Sequence, residues 1–330
     1  MKICSDGQPN RLRRTILMAG AATIAMPYVA FGQRRPKVRI GTPTKTYFPT
    51  IIAETAIRQK LFEKEGIDAE LTVYRSGAEG FEALAAGAAD IIYNSSMSVA
   101  AGLRKGVKSL CVGNGANGYY GWQLVVKPDS PIKQVSELEG KKVGITSAGS
   151  GSDILALWTA NSHKVKFTRV PVGGGGLVPN LLTGNLDATV LYSPLTFQLG
   201  QNKQARSLID FGTAVEPHST GSWIATDRMI SGQAEVLQKS LNAIYGGLAY
   251  LCDDKNRDGV VKFLAQVNEI KDPVAAAELD EVIKKLSRDG AFRPEWVERA
   301  LDMAKLIGMT DVAPAKDIYT TRFKPVPTIA

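Results

Sequence analysis

The residues best suited to chemistry lie in a loop rich in glycine and serine, Ser147–Asp153. It follows a predicted strand, 143–146, and precedes a predicted helix, 154–159. Glycines let backbone N–H groups turn outward, serines add hydroxyl donors, and a helix N-terminus adds partial positive charge, so the loop suits a carboxylate, sulfonate, nitrate or phosphate. The candidate contacts are Ser147, Gly149, Ser150, Gly151 and Ser152. The alternative is that Ser152 or Asp153 caps the helix while the glycines only form a turn.

A second glycine-rich loop, 171–176, also joins a predicted strand to a predicted helix and contains four consecutive glycines. Glycine loses much backbone entropy on folding, so such a run indicates a close approach or a positive φ angle. Gly174 and Gly175 are candidate ligand contacts, and a turn beside a hinge explains the run equally well.

Polar side chains also follow the predicted strand 90–93, where Asn94, Ser95 and Ser96 stand in succession. Helix capping alone would need only one of the three, so we expect them to line a site.

Two aromatic side chains, Tyr47 and Phe48, come shortly after the first predicted strand, in the same loop as the candidate contact Thr44. The rings could stack on a flat ligand, and the Tyr47 hydroxyl could also donate a hydrogen bond. The alternative is a hydrophobic staple at the start of the next helix.

Five further candidate contacts stand in other loops. Asn117 and Tyr119 precede a predicted strand, and Tyr192 ends another. Arg75 could pair with an anionic ligand because guanidinium suits a planar acid, although solvation at the surface is the more frequent outcome. His218 could sense ligand charge or could pack at a hinge.

The elements that position these loops alternate regularly along the chain. Short β-branched runs alternate with helical stretches up to residue 226, which predicts βαβ units and mostly parallel sheets. The later stretches 233–251, 257–268, 273–288 and 294–307 have helical patterns.

This order predicts an α/β fold with two lobes. We expect the first lobe to comprise residues 36–124 and 223–330, and the second lobe to comprise residues 125–222. Open α/β sheets bind ligands at the carboxyl ends of their strands, so the loops of both lobes would line a cleft between them.

The charge of the chain does not indicate nucleic-acid binding. The 330 residues carry a net charge of +8, but basic and acidic side chains alternate along most of the sequence, without the basic patch interleaved with aromatics that such binders use. No apolar run approaches the roughly 18 residues of a membrane span. We therefore expect no nucleic-acid partner and no membrane-spanning segment.

The N-terminal residues 1–32, which we call the leader, have the pattern of an export signal. Basic side chains precede an uncharged apolar run, 15–26, and small residues allow cleavage after Gly32. Arg13-Arg14 resembles a twin-arginine signal, although Leu12 stands where that motif prefers a small polar residue, so the export route stays open. The alternative is a buried N-terminal helix.

The cysteines and histidines give no sign of a metal or cofactor. Beyond the leader only Cys111 and Cys252 remain, both in apolar contexts typical of buried thiols. The two histidines, His163 and His218, lack the spacing of metal ligands. We therefore expect neither metal nor cofactor.

Several short runs, in a fixed order, carry a family resemblance. They are Gly41–Pro49, Gly66–Leu71, Leu84–Ile91, Val135–Gly144 and Leu182–Ala188. Together they resemble the periplasmic solute-binding proteins of ABC importers, in the branch that covers nitrate, sulfonate, taurine and thiamine-pyrimidine precursors. The resemblance spans roughly residues 36–270.

The resemblance implies a two-lobed type II periplasmic-binding-protein fold with two crossover strands, C-terminal helices and ligand capture by hinge closure. It also implies a monomer that delivers a small anionic or polar organic solute to an inner-membrane ABC permease, without catalysis. Sulfonate, nitrate, aromatic carboxylate and pyrimidine ligands all stay open.

Two alternative functions also stay open. One is an enzyme of the same fold, a pyrimidine synthase or a small-molecule lyase, although the cysteine-rich run of the former is absent. The other is a periplasmic sensor that hands its ligand-bound form to a receptor.

The leader gives a direct prediction about the exported protein. Cleavage after Gly32 should leave a mature chain that starts at Gln33, with the net charge lowered to +5. Mass spectrometry of the exported protein measures the start. A mature N-terminus far from Gln33 would refute the cleavage site.

Overall fold

The computed structural model describes residues 35–323. The leader lies outside these residues, so export and cleavage stay predictions. No helix of the described range combines the length and apolarity needed to cross a bilayer.

Two five-stranded sheets organise the described residues. Their strands are β1 (Lys37–Pro43), β2 (Asp68–Tyr74), β3 (Ile91–Asn94), β4 (Ser109–Ala116), β5 (Gln123–Val126), β6 (Lys142–Ile145), β7 (Thr168–Pro171), β8 (Ala188–Leu191), β9 (Arg206–Asp210) and β10 (Gly221–Thr226). The first sheet has the order β2-β1-β3-β10-β4, and the second sheet has the order β7-β6-β8-β5-β9.

The chain crosses twice between the sheets. Strand β5 runs antiparallel to β8 and β9 in the second sheet, and β10 returns to the first sheet antiparallel to β3 and β4. The predicted architecture, mixed α/β with two crossover strands, is confirmed. The residue boundaries of the two lobes stay a prediction.

Helices cover both sheets. They are α1 (Phe48–Arg58), α2 (Leu61–Lys64), α3 (Gly77–Ala85), α4 (Ser96–Arg104), α5 (Gly151–His163), α6 (Leu177–Leu182), α7 (Leu195–Gln201), α8 (Phe211–Ala214), α9 (Ala234–Cys252), α10 (Arg257–Asn268), α11 (Asp272–Glu281) and α12 (Pro294–Leu306). Helix α12 joins the two halves, because Val297 packs with residues of the first sheet while Met303 packs in the core of the second.

Two elements differ from the sequence prediction. Residues 165–168 have a strand-like composition that predicts a strand there, but the strand begins at Thr168. Lys164 ends α5 in a left-handed conformation, and the Val165 N–H bonds back to the Ala160 carbonyl. The helix expected over 273–288 ends at Glu281, where the backbone leaves helical geometry before a short 3-10 turn. Cys111 and Cys252 are buried and unpaired, as predicted.

A buried carboxylate ties three segments of the first sheet together. Asp90, just before β3, accepts hydrogen bonds from the Arg39 backbone N–H (3.0 Å) and from the Arg39 guanidinium Nη2 (2.8 Å). Arg228, beyond β10, pairs with the same carboxylate. Burial would raise the pKa of Asp90, but the Arg39 hydrogen bonds, with the charges of both arginines, outweigh it, so the pKa lies below its ordinary value.

Asp90→Asn should lower the free energy of unfolding by about 2 kcal/mol at neutral pH, because it removes charge-assisted hydrogen bonds. The contribution of Asp90 is present above its ordinary pKa and is lost as pH falls through the lowered pKa. Urea unfolding from pH 7 to pH 3 should therefore show a gap between variant and wild type that closes in acid.

Glu70→Gln is the control, because it removes an exposed surface pair with Lys37 and should change stability little. Equal losses of unfolding free energy in the two variants would contradict the stabilising role of the Asp90 carboxylate.

Candidate functional site

A cavity of about 50 Å³ lies between the two sheets. Loops of the first sheet contribute Pro43, Thr44, Tyr47, Ser76, Gly77, Tyr93, Asn94 and Ser95, and the rest of the lining comes from Tyr119, Trp122, Thr146, Ser150, Gly151, Tyr192 and Thr220. Most of these residues stand at the carboxyl ends of strands, where sequence order predicted a cleft.

Four helices begin at this cavity. The residues that cap α1, α3, α4 and α5 are Tyr47, Ser76, Ser95 and Ser150, and all four line the cavity. Helix N-termini carry partial positive charge and unpaired N–H groups, so their convergence favours an anion or a strong hydrogen-bond acceptor.

The side chains of the cavity carry no compensating charge. Within residues 35–323 the lining contains no Lys, Arg, His, Asp or Glu. The electrostatic field is therefore set by backbone dipoles and by neutral hydroxyl, amide and aromatic groups. Such a field can hold an anionic group without a side-chain cation.

The loop before α5 uses its polar groups in two ways. Ser150 caps the helix by accepting the Asp153 N–H (3.4 Å), so the cap lies at Ser150 and the alternatives Ser152 and Asp153 are wrong. The Ser152 hydroxyl is buried and accepts the Thr146 N–H (2.8 Å), and the Gly149 N–H donates to Asp153 (2.8 Å). Ser150 and Gly151 are therefore the members of this loop that face the cavity.

An aromatic wall closes one side of the cavity. The ring centroids of Tyr47 and Trp122 lie 5.4 Å apart at 87°, and the Trp122 indole N–H donates to the Tyr47 hydroxyl (3.2 Å). Tyr192 lies 5.2 Å from Tyr47 and 5.3 Å from Trp122. Burial raises the pKa of Tyr47 and Tyr192, so both phenols stay neutral. Sequence reasoning did not select Trp122, which it assigned only to a strand.

Tyr93 supplies a buried hydroxyl without a partner. Its side chain is 4% exposed and its hydroxyl makes no hydrogen bond to any described residue. Two glycines make room for it, since a Cβ at Gly221 would lie 2.3 Å from this hydroxyl and one at Gly115 would lie 2.9 Å away. A buried donor without a partner costs free energy, so this hydroxyl is available to a ligand. Sequence reasoning placed Tyr93 in a strand and missed it.

A wider groove of about 550 Å³ adjoins the cavity and shares Thr44 and Tyr192 with it. The loop containing Gly174 forms one wall. The Gly174 N–H donates to the Arg75 carbonyl of the opposite sheet (3.2 Å), and a Cβ there would lie 2.4 Å from Thr44 Cγ2. Close approach of the two halves therefore explains why this position is glycine.

Three other predicted contacts line the outer surface rather than the cavity. Arg75 and Gly175 border the groove, and the exposed Arg75 guanidinium pairs with Glu79 (3.2 Å). Ser147 borders an adjacent groove and donates from its hydroxyl to Ser76 (2.8 Å) across the two halves.

Four predicted contacts lie away from the cavity because internal packing occupies them. Phe48 is buried against Tyr93, with ring centroids 5.4 Å apart. The Ser96 hydroxyl lies 3.0 Å from that of Ser222, and Asn117 accepts from Asn114 (2.6 Å).

His218, the fourth of these, is buried. Its Nδ1 lies 2.8 Å from the Glu216 carbonyl oxygen, and its ring packs against Tyr119 with centroids 5.4 Å apart. Burial lowers the pKa of His218, which favours the neutral ring. This position agrees with the packing alternative stated for it.

Tyr93→Phe should not lower the free energy of unfolding of the ligand-free protein, and should raise it by up to about 1 kcal/mol, because it removes a buried hydroxyl that makes no hydrogen bond. Tyr245→Phe is the matched control, since its buried hydroxyl donates to the Asn114 carbonyl (2.6 Å) and its loss should cost about 1 kcal/mol. Urea unfolding measures both. An equal loss in both variants would mean that Tyr93 already has a structural partner.

Comparison with known proteins places the chain in a family. The family model described as NMT1/THI5 like matches residues 50–257. A protein of Brucella abortus named as a candidate binding protein is 24% identical over 317 residues, which cover 93% of this chain and 97% of the relative. A Bacillus subtilis protein named as a candidate aliphatic sulfonates-binding protein is 24% identical over 306 residues, covering 86% and 90%.

The fold has a counterpart among solved structures. The alkanesulfonate-binding protein of Xanthomonas axonopodis pv. citri, bound to MOPS, superposes with a TM-score of 0.72 at 18% identity, covering 88% of this chain and 97% of that one. The predicted resemblance to periplasmic solute-binding proteins, and the fold class it implied, are confirmed. The chain belongs to the NMT1/THI5-like family.

Proposed function

We propose that this chain is an exported solute-binding protein that captures a small anionic or polar organic solute between its lobes and delivers it to an inner-membrane ABC permease. The observation that carries the proposal is the convergence of four helix N-termini, from both sheets, on one cavity. A ligand held between the N-termini of the two lobes would stabilise their closed arrangement, which is how a binding protein signals occupancy to its permease.

The charge of the lining narrows the ligand class. Arg75, a cation that could have paired with an acid, stands outside the cavity and already pairs with Glu79. The acid group would therefore rest on backbone N–H groups and on the Tyr93 hydroxyl. This arrangement favours sulfonate, nitrate or carboxylate over dianions such as sulfate and hydrogen phosphate.

The size of the cavity narrows the ligand class further. About 50 Å³ accommodates a few water molecules, whereas an engineered cavity that binds benzene measures about 150 Å³. An aromatic body does not fit inside this closed form, but a compact acid group does. Any larger body would extend past Thr44 and Tyr192 into the outer groove. Of the ligand classes left open by the sequence, the geometry thus favours sulfonates and nitrate.

The relatives support the same class. The names of the Bacillus subtilis relative and of the Xanthomonas structure both refer to sulfonates. The lining, as far as the structure describes it, also offers no acid, base or thiol that could act as a catalytic group, which favours capture over the enzyme alternative. Transport and sensing require the same ligand site, and recovery of the permease or of a receptor in a pull-down distinguishes them.

A ligand panel tests the proposal. Ethanesulfonate, taurine, nitrate, benzoate and a hydroxymethylpyrimidine are added singly to the mature protein, with sulfate and phosphate as dianion controls. At about 100 times Kd a ligand contributes roughly 2.7 kcal/mol, which raises the melting temperature by several degrees. We expect this shift with at least one monoanion and a smaller shift with the dianions.

Tyr93→Phe should weaken binding of the active monoanion about tenfold, because it removes one hydroxyl donor to a charged group. If no ligand of the panel raises the melting temperature, the result would count against the transport function. Equal shifts with sulfate and ethanesulfonate would contradict selection by charge.

A further inference from the structure

Glu278, on α11, is a buried carboxyl group that the proposed ligand site does not use. Its side chain is 0% exposed, and neither carboxyl oxygen makes a hydrogen bond to a described residue. An ionised carboxylate without a partner is very costly to bury. Burial accordingly raises the pKa of Glu278 to about 8, so the group is largely protonated at neutral pH.

This carboxyl group lies at the junction of the two halves. It faces the Ser193 hydroxyl, which follows β8 of the second sheet and whose interaction with the carboxyl group offsets part of the rise in its pKa. Helix α11 belongs to the core of the first sheet, where Ala275 and Leu279 pack. Glu278 therefore stands on the first half and Ser193 on the second.

The segment that connects the sheets passes the same point. A Cβ at Gly121, just before the crossover strand β5, would lie 2.6 Å from Ser193 Cβ and 3.0 Å from Val282 Cγ2. The Gly121 carbonyl accepts the Thr196 hydroxyl (2.9 Å), which holds the connector against α7. A rotation of one half about this connector changes the packing around Glu278.

No cation from the neighbouring elements compensates this group. Helix α7, Leu195–Gln201, carries no charged side chain. Arg257 of α10 pairs with Asp280 (2.6 Å), and Lys285 of the following turn pairs with Glu281 (2.6 Å).

The two remaining neighbours do not compensate it either. Lys284 pairs with Asp254 (2.8 Å) and with Asp280 (3.4 Å). Tyr47, at the start of α1, is a neutral phenol that senses the Glu278 charge. Water therefore has to solvate the negative charge that Glu278 carries when it is ionised.

We propose that Glu278 is a proton-binding switch between the lobes: its carboxyl group holds a proton while α11 and Ser193 are packed together, and it ionises when the lobes move apart and admit water. The packed form then binds one proton more than the parted form. Lower pH favours the packed form, and higher pH favours the parted one.

The pH window follows from the two states of the group. Between the ordinary value of 4.5 and about 8, each unit of pH should shift the ratio of packed to parted molecules about tenfold, and above about 8 the shift should stop. Solute would be captured more tightly in acid and released more readily as pH rises.

Small-angle X-ray scattering of the ligand-free mature protein tests this proposal without any ligand, so its outcome does not depend on the proposed function. The radius of gyration of wild type should increase from pH 5 to pH 9. Glu278→Gln should keep the low-pH value throughout, because an amide cannot ionise. Glu281→Gln is the matched control on the same helix, where Glu281 forms an exposed pair, and it should behave as wild type.

A second measurement uses only wild-type protein, so it tests the proposal even if Glu278→Gln fails to fold. In wild-type protein labelled with ¹³C at glutamate carboxyl carbons, one resonance should titrate near pH 8. The proposal is overturned if no glutamate titrates above about pH 6. A titration near pH 8 without a change in the radius of gyration overturns it equally, because the buried acid would then be uncoupled from the lobes.

Discussion

The structure depends on one electrostatic arrangement, in which four helices point their N-termini at a cavity without a charged side chain. The parallel strands of each sheet end at the same edge, and the helices α1, α3, α4 and α5 follow the strands β1, β2, β3 and β6. Caps at Ser76, Ser95 and Ser150 satisfy part of the N–H groups at each helix start. The remaining N–H groups and dipoles make the cavity receptive to an acceptor.

Close packing of the two halves completes this arrangement. Tyr47 from the first sheet meets Trp122 and Tyr192 from the second, and Gly174 lets the two backbones approach. Aromatic pairs of this kind contribute attraction beyond their buried area. The contact between the halves also buries Glu278, which faces Ser193 of the second half.

Much of the fold is predictable from the sequence, because strand and helix periods alternate clearly. Helices α10 and α12 begin and end within one residue of the bounds that their apolar spacing predicts, and the glycine-rich loops are found at strand ends. The details of the site were harder to predict. Trp122 and Tyr93 occur in strand-like patterns, and only the three-dimensional path of the chain brings both side chains to the cavity. The Arg75 guanidinium pairs with Glu79, which lies four residues further along the chain. This local ion pair competes with any ligand for the guanidinium.

The central claim is that backbone dipoles, rather than a side-chain cation, receive an acid group in this cavity. A crystal structure with ethanesulfonate tests it most directly. The account predicts the sulfonate group inside the cavity, within hydrogen-bond distance of the N-termini of α4 and α5 and of the Tyr93 hydroxyl, with Arg75 still paired to Glu79. A sulfonate bound to the Arg75 guanidinium in the outer groove, with the inner cavity empty, would contradict it.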